Sequence, residues 1–327
     1  MQLSVGIGLT NDCNLRCAHC YRPLDGVYQL ALEDVKAVCQ ALPVGGMGLG
    51  TGENALHPDF YAIVDYLRGQ GIKLSMASNG YSLNAMPDEY LQAFDDLEVS
   101  IDFPSQEAQD LFRGQGNWEA VQSAMNRCRS LGIEVSILAT MMNTNFDLMD
   151  QLVRLARDRG ANLRVNAYQP VHNDRFSLSY EQFWEGYRRL LGKGWLVSCT
   201  EPVVAAALGL DTARSPCGHH SVRITPQRCV APCVYWPDSA LDLSDLAQLG
   251  LGILETPEFE AATRIPNVAA NCPCQGGCAS RRALLGALNA HDAYCPWVRG
   301  DEIDLDWEQA PAKELTRAKN YCTTIVV

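Results

Sequence analysis

Three cysteines within eight residues, Cys13, Cys17 and Cys20, are the part of this sequence best equipped to do chemistry. Spaced C-x3-C-x2-C on one loop, three soft thiolates can hold three irons of a 4Fe-4S cluster and leave the fourth iron open. Zinc loops more often use paired C-x2-C or mixed Cys/His sets. The chain has 14 cysteines in 327 residues, and its start, Met1-Gln2-Leu3-Ser4, lacks the positive region and apolar core of an export signal. A disulfide framework is therefore a poor account of so many thiols, and metal is the expected one.

A second group gathers late in the chain: Cys199, Cys217, Cys229, Cys233, Cys272, Cys274, Cys278 and Cys295, with Cys322 beyond them. Eight thiols in a loop-rich stretch exceed what packing asks for, and loops without regular structure need a staple. Metal clusters would supply it, and a zinc staple that recruits His219 and His220 is the alternative. The remaining two read as core. Cys39 shares a helical face with Leu32, Val35, Val38 and Leu42, and Cys128 lies on the stripe Val121, Ala124, Met125, Cys128 and Leu131.

These thiols need a frame. Short apolar, β-rich runs recur at 3–9, 44–49, 72–77, 97–101, 133–140 and 162–168, with helical periodicity between them. Six alternations of strand and helix call for a parallel sheet with crossover helices, its near-continuous apolar strands buried on both faces. A doubly wound sheet and a barrel or partial barrel both satisfy the pattern, and in either the chemistry sits just past the strand ends. Ser179 and Gln182 are spaced as a capping box opening the helix after the sixth strand. Past Gly192 the alternation stops, and a region rich in Pro, Gly and Cys follows, with a short helix opened by Thr256 and Pro257. Residues 311–321 read as one more short helix. The expected division is 1–195, 196–300 and a tail, 301–327.

The charge balance is 26 − 38 = −12. So acidic a chain disfavours partners held through phosphates, nucleic acid above all. No apolar stretch approaches the ~20 residues of a membrane span, so a cytoplasmic protein is expected.

The loop and the strand ends together resemble the radical SAM superfamily. Thr51-Gly52-Glu53-Asn54, after the second run, is similar to that family's GGEP motif, with Thr51 and Asn54 replacing its first Gly and its Pro. Ser78-Asn79-Gly80 after the third run resembles its T/S-N-G turn, and Ser100-Ile101-Asp102 after the fourth its S-x-D. Asn143 matches a polar position beside the cofactor ribose, and His19 the position whose backbone meets the adenine. The resemblance covers residues 1 to about 190 and implies a partial (β/α)6 TIM barrel. It also implies that Cys13, Cys17 and Cys20 carry a 4Fe-4S cluster whose open iron chelates S-adenosylmethionine, with Gly52, Glu53, Ser78, Asn79 and Ser100 holding that cofactor.

The late cysteines resemble the SPASM or twitch extension of the same enzymes. Cys217, the run Ile224-Thr225-Pro226-Gln227-Arg228-Cys229-Val230-Ala231-Pro232-Cys233, then Cys272, Cys274, Cys278 and Cys295 carry that likeness. It departs from the family where Gln227-Arg228 replaces an Asp-Gly turn, and where Cys272-Pro-Cys274 shortens the cysteine run. The resemblance implies one or two auxiliary 4Fe-4S clusters. Cys217, Cys233 and Cys278 belong to the inner one with Cys229 as fourth ligand, and Cys272, Cys274 and Cys295 to an outer one, with Cys199 in reserve.

The function implied is reductive cleavage of S-adenosylmethionine to a 5′-deoxyadenosyl radical, fed by flavodoxin or ferredoxin, and hydrogen abstraction from a ribosomally made precursor peptide. A sugar or antibiotic intermediate is the alternative substrate, favoured by a pocket lined by Asp102, Tyr168 and Arg164. The first run begins at residue 3, so a separate leader-recognition protein is the expected partner. Cys322 is the candidate hydrogen-atom donor, and Asp102 and Tyr168 are candidates for a general base.

Overall fold

A computed structural model describes residues 2–193, 195, 197–199, 201–210, 217–308 and 324–326. Its first six strands fall where the apolar runs predict them: β1 (Leu3–Ile7), β2 (Val44–Leu49), β3 (Lys73–Ser78), β4 (Asp96–Ser100), β5 (Val135–Met141) and β6 (Asn162–Ala167). They lie side by side in chain order, each parallel to the next. A doubly wound sheet reverses its strand order at a switch point, and none occurs between β1 and β6. The partial barrel is the architecture that remains.

The second half of the chain extends this sheet at both flanks. β7 (Val197–Cys199) joins β6 in parallel and carries the antiparallel β10 (Thr324–Val326). At the opposite edge β8 (Ser221–Ile224) pairs in parallel with β1, and β9 (Val230–Ala231) turns back on β8. Ten strands thus form one sheet in which the late cysteine region is an integral part.

The strands are two-faced rather than apolar throughout. Leu3, Val5 and Ile7 of β1, Leu97 and Val99 of β4, and Leu163 and Val165 of β6 are buried in the main core with the helices. The alternate positions, Ser4 and Gly6, Glu98 and Ser100, Arg164 and Asn166, line an interior cavity. The expectation of strands apolar on both faces fails at these positions, because the small or polar residue sits on the inner face each time.

The helices follow their sequence signals. Asn117–Ser130 buries Val121, Ala124, Met125 and Cys128. Tyr180–Leu190 starts at the reciprocal box, with Gln182 N donating to Ser179 Oγ at 3.2 Å and Ser179 N to Gln182 Oε1 at 2.9 Å. Pro257 opens Pro257–Thr263. The Tyr180–Leu190 helix also seams the two halves: Phe183 stacks on Tyr294 at 4.0 Å between ring centroids, and Trp184 Nε1 donates to Tyr294 O at 3.1 Å. The helix expected at 311–321 lies outside the described residues, as does Cys322. Among the described residues no helix is long and apolar enough to cross a membrane.

Candidate active site

A cavity of about 400 Å³ opens along the inner faces of the strands and the loops at their carboxyl ends. Cys13, Cys17 and Cys20 line one part of it, and Cys217 and Cys233 another. Two groups of thiols more than 180 residues apart in sequence therefore share one chamber.

The first cysteine loop is tied down from behind. Asn11, fully buried, donates from Nδ2 to the carbonyls of Pro23 and Gly26 at 3.0 and 2.7 Å, and accepts from Tyr28 N at 2.6 Å. Arg22 donates to the carbonyls of Asn11 at 2.9 Å and Leu15 at 3.2 Å. The sulfur of Cys13 accepts from Leu15 N and Asn79 Nδ2, each at 3.5 Å. Arg113 approaches the Cys17 sulfur to 4.0 Å. Burial pushes the Cys17 thiol up to about 11, so metal binding there must displace a proton.

The turn after β2 crosses this loop at close range. Gly52 has φ +64, and a Cβ on it would stand 2.5 Å from Asp12 O and 2.6 Å from Thr10 O, so only glycine fits. Glu53 N donates to Asp12 O at 2.7 Å. Asn54 explains its departure from the family motif: its Oδ1 accepts from Leu9 N at 2.8 Å, diverting the chain where β1 ends.

Glu53 is 1% exposed. Its carboxylate accepts from Ser78 Oγ at 2.6 Å and from Asn79 N at 2.8 Å. Burial raises its pKa, and the two donors only partly offset that. Among the described residues it has no cation within ion-pair distance. A buried carboxylate lacking a cation, beside three cavity-facing thiols, fits the ammonium of S-adenosylmethionine bound to an iron–sulfur cluster.

Asn79 is held in turn by side chains of the two helices that follow β4, Gln106–Arg113 and Asn117–Ser130. Asn117 Nδ2 donates to Asn79 O at 2.9 Å, and Gln109 Nε2 donates to Asn117 Oδ1 at 2.8 Å and to Ser100 O at 3.0 Å. Gln109 Oε1 accepts from the backbone of Asp102 and Phe103. A Cβ on Gly80 would lie 2.9 Å from Val121 Cα, which explains the glycine of that turn.

Ser78, Asn79, Ser100, His19 and Tyr168 all line the cavity, whereas Asp102 and Asn143 do not. Asp102 is fully buried and spent on Arg113 Nε at 2.7 Å, Thr140 N at 2.8 Å and His19 Nε2 at 3.5 Å. Burial pushes its carboxyl up, but Arg113 and His19 overcome this and leave it below the usual range. Asp102 thus anchors Arg113 and His19 behind the cavity wall. Asn143 donates to Arg175 O at 2.9 Å, away from the chamber. Tyr168 donates its hydroxyl to Asn173 O at 2.8 Å. His57, which precedes Pro58, accepts from Asp59 N at 3.0 Å and turns its other ring nitrogen to Leu30 O at 2.8 Å, a cap at a helix start.

The late cysteines divide as well. Cys217 and Cys233 are hydrogen-bonded to each other, a contact that with burial raises the Cys233 thiol. Cys278 is pushed up to about 12 by burial, with Cys233 adding to the effect. Cys229 sits in the β8–β9 hairpin, its sulfur 3.9 Å from Gln227 O, and does not line the cavity. Apart from these, the sulfurs of Cys272, Cys274 and Cys295 converge at 3.2, 3.4 and 3.5 Å, close enough to ligate one metal centre. The Cys274 thiol donates to Cys295, and this contact, with the one to Cys272, brings the Cys295 thiol down to about 6. The side chain of Cys199 and all of Cys322 lie outside the described residues.

Sequence reasoning missed Arg22, Gln109, Arg113, Asn117 and Arg223. Arg113, Asn117 and Arg223 reach partners far along the chain, while Arg22 and Gln109 fold back on segments six to eleven residues away, and in each case only the folded geometry exposes the pairing. Glu98 and Arg164 form an ion pair across the inner face, so Arg164 is not a free pocket group.

Residues 7–158 match the radical SAM superfamily. Mycofactocin maturase MftC of Mycolicibacterium smegmatis is 26% identical over 340 residues, covering 95% of this chain and 84% of that one. The antilisterial bacteriocin subtilosin biosynthesis protein AlbA of Bacillus subtilis is 26% identical over 343 residues, covering 93% and 73%. The solved structure of anSMEcpe with bound AdoMet and a peptide superposes with a TM-score of 0.72 at 16% identity, over 91% of this chain and 95% of that one, a likeness of fold.

Proposed function

We propose that this chain, whose residues 7–158 match the radical SAM superfamily, modifies a ribosomally made precursor peptide by removing a hydrogen atom from an unactivated carbon. The observation that carries the reading is the single chamber shared by the first cysteine loop, Glu53 and the late thiols Cys217 and Cys233. Its support on the substrate side is similarity to a maturase and to a bacteriocin biosynthesis protein over more than nine-tenths of the chain. The product, whether crosslink, inverted α-carbon or excised backbone, is left open.

In this reading Cys13, Cys17 and Cys20 hold the cluster, Glu53 receives the ammonium of S-adenosylmethionine, and Ser78, Asn79 and Ser100 shape its seat. A 4Fe-4S cluster held by that loop would supply the electron for reductive cleavage of S-adenosylmethionine. Asn11 and Arg22 keep the loop closed behind the thiols, and the Gln109–Asn117–Asn79 chain fixes the far wall. Cys217, Cys233 and Cys278 take an inner auxiliary centre, and Cys272, Cys274 and Cys295 an outer one. A flavodoxin or ferredoxin supplies electrons, and a separate protein recognises the leader.

One observation favours a small sugar-like or antibiotic substrate instead: Tyr168 and Arg164 line the cavity, although Asp102 does not. The test is anaerobic reconstitution with iron and sulfide, then dithionite and S-adenosylmethionine. 5′-Deoxyadenosine is expected from the native chain and only background from Cys17→Ala. A native chain that binds no iron and leaves the cofactor intact overturns the enzyme reading.

A further inference from the structure

We propose that Arg223 is the specificity residue of this chamber and binds a carboxylate of the peptide, an assignment that rests on the peptide reading above. β8 places Arg223 opposite Gly6 of β1, with Val222 and Ile224 buried on the other face. The guanidinium lies in a cradle made by two glycines. A Cβ on Gly6 would stand 2.5 Å from Nη1, and one on Gly50 3.2 Å from Nη2.

Nη2 donates to Thr51 Oγ1 at 2.8 Å, while Nε is buried with no partner. Among the described residues no carboxylate lies within 4.0 Å of this guanidinium. The other cavity arginines are already engaged: Arg113 on Asp102, Arg164 on Glu98, and Arg22 on two backbone carbonyls. Arg223 is thus the cation of the chamber whose planar donor edge is least used, and a carboxylate matches that edge.

The charge of the lining agrees. Four arginines against two glutamates face a cavity inside a chain of net charge −12. Position supplies the rest. Thr51 belongs to the turn bearing Gly52 and Glu53, while Cys217, Cys233 and Tyr235 line the same chamber. A peptide anchored by its carboxylate on Arg223 would occupy the chamber that both thiol groups line. The carboxylate comes either from the peptide's C-terminus or from an Asp or Glu side chain.

The test uses the full chain, reconstituted anaerobically, and three random heptapeptide pools. The first has free C-termini and no Asp or Glu, the second has amidated C-termini and includes Asp and Glu, and the third is amidated and lacks both. Retained peptide is read by ultrafiltration and mass spectrometry. The native chain is expected to retain the first or the second pool about tenfold over the third, and which one names the source. Arg223→Gln should level the three pools at native iron content, and Arg223→Lys should keep a weaker preference. N-Acetylglycine should displace the retained peptide from the native chain and N-acetylglycinamide should not, a check that needs no variant.

Equal retention of all pools by the native chain overturns the proposal and leaves the peptide reading standing. So does a preference that survives Arg223→Gln, which would make the arginine only a counter-charge to the metal-bound thiolates. No retention of any pool, with cofactor cleavage intact, overturns the peptide reading and this proposal with it.

Discussion

The first cysteine loop and the late cysteine Cys278 are held in place by different physics. Behind Cys13, Cys17 and Cys20 the support is a mesh of mainly neutral hydrogen bonds: Asn11 to Pro23 and Gly26, Asn79 to Asn117, Asn117 to Gln109. Behind Cys278 it is one buried ion triad. Arg281 donates to Glu201 at 2.5 and 2.6 Å and to Asp292 at 2.8 and 2.9 Å, and all three side chains are 3% exposed or less. Asp292 then accepts from Cys278 N at 2.7 Å and Tyr294 N at 2.9 Å, and Arg281 lies over the Tyr294 ring. Support spread over many bonds loses little when one is cut. Support concentrated in a buried triad loses most of itself at once.

The hardest blow to that contrast is aimed at the triad. Arg281→Met leaves Glu201 and Asp292 buried without their guanidinium and should cost about 3–5 kcal/mol of unfolding free energy, read by urea titration. A loss below about 1 kcal/mol would show that the late region is held by something else.

On the other side, Gly52→Ala forces a Cβ against two backbone carbonyls at a positive φ, with an expected cost of about 1–3 kcal/mol. Binding of S-adenosylmethionine, followed by equilibrium dialysis, should weaken with it because Glu53 is the next residue. An unchanged affinity would detach the turn from the cofactor seat.

The smallest effect sharpens the contrast through pH. The folded-state pKa of Asp102 is depressed, so its contribution to stability is complete above the ordinary Asp value of about 3.9 and is lost as pH falls through the folded value. Melting temperature followed from pH 5 downward should therefore fall more steeply in the native chain than in Asp102→Asn. Parallel acid limbs would remove Asp102 from the electrostatics of the loop.

Much of this was legible in the sequence because it is local. The six strands, the capping box at Ser179 and Gln182, and the C-x3-C-x2-C loop are each written within a few residues. The face of the sheet was harder to read, since Gly6, Gly48 and Ala77 pass for apolar strand residues while in space they clear room for a cavity. Asp102 looked like a reacting carboxylate at a strand end because its partner, Arg113, arrives from the following helix, Gln106–Arg113. Arg223 was illegible for a stronger reason. Its neighbours Gly6, Gly50 and Thr51 come from β1 and the turn after β2, a juxtaposition created only when β8 docks beside β1.

That docking also has a bearing on how the protein is made. β1 leaves the ribosome well before β8, yet β8 supplies one of its sheet neighbours from roughly two hundred residues further along the chain. Through most of synthesis the strand that leads into Cys13 therefore has an unpaired edge. The chamber lacks its Arg223 wall for that whole interval. Arrival of β8 closes this flank, so the chamber is complete only once residues far apart in the chain have met.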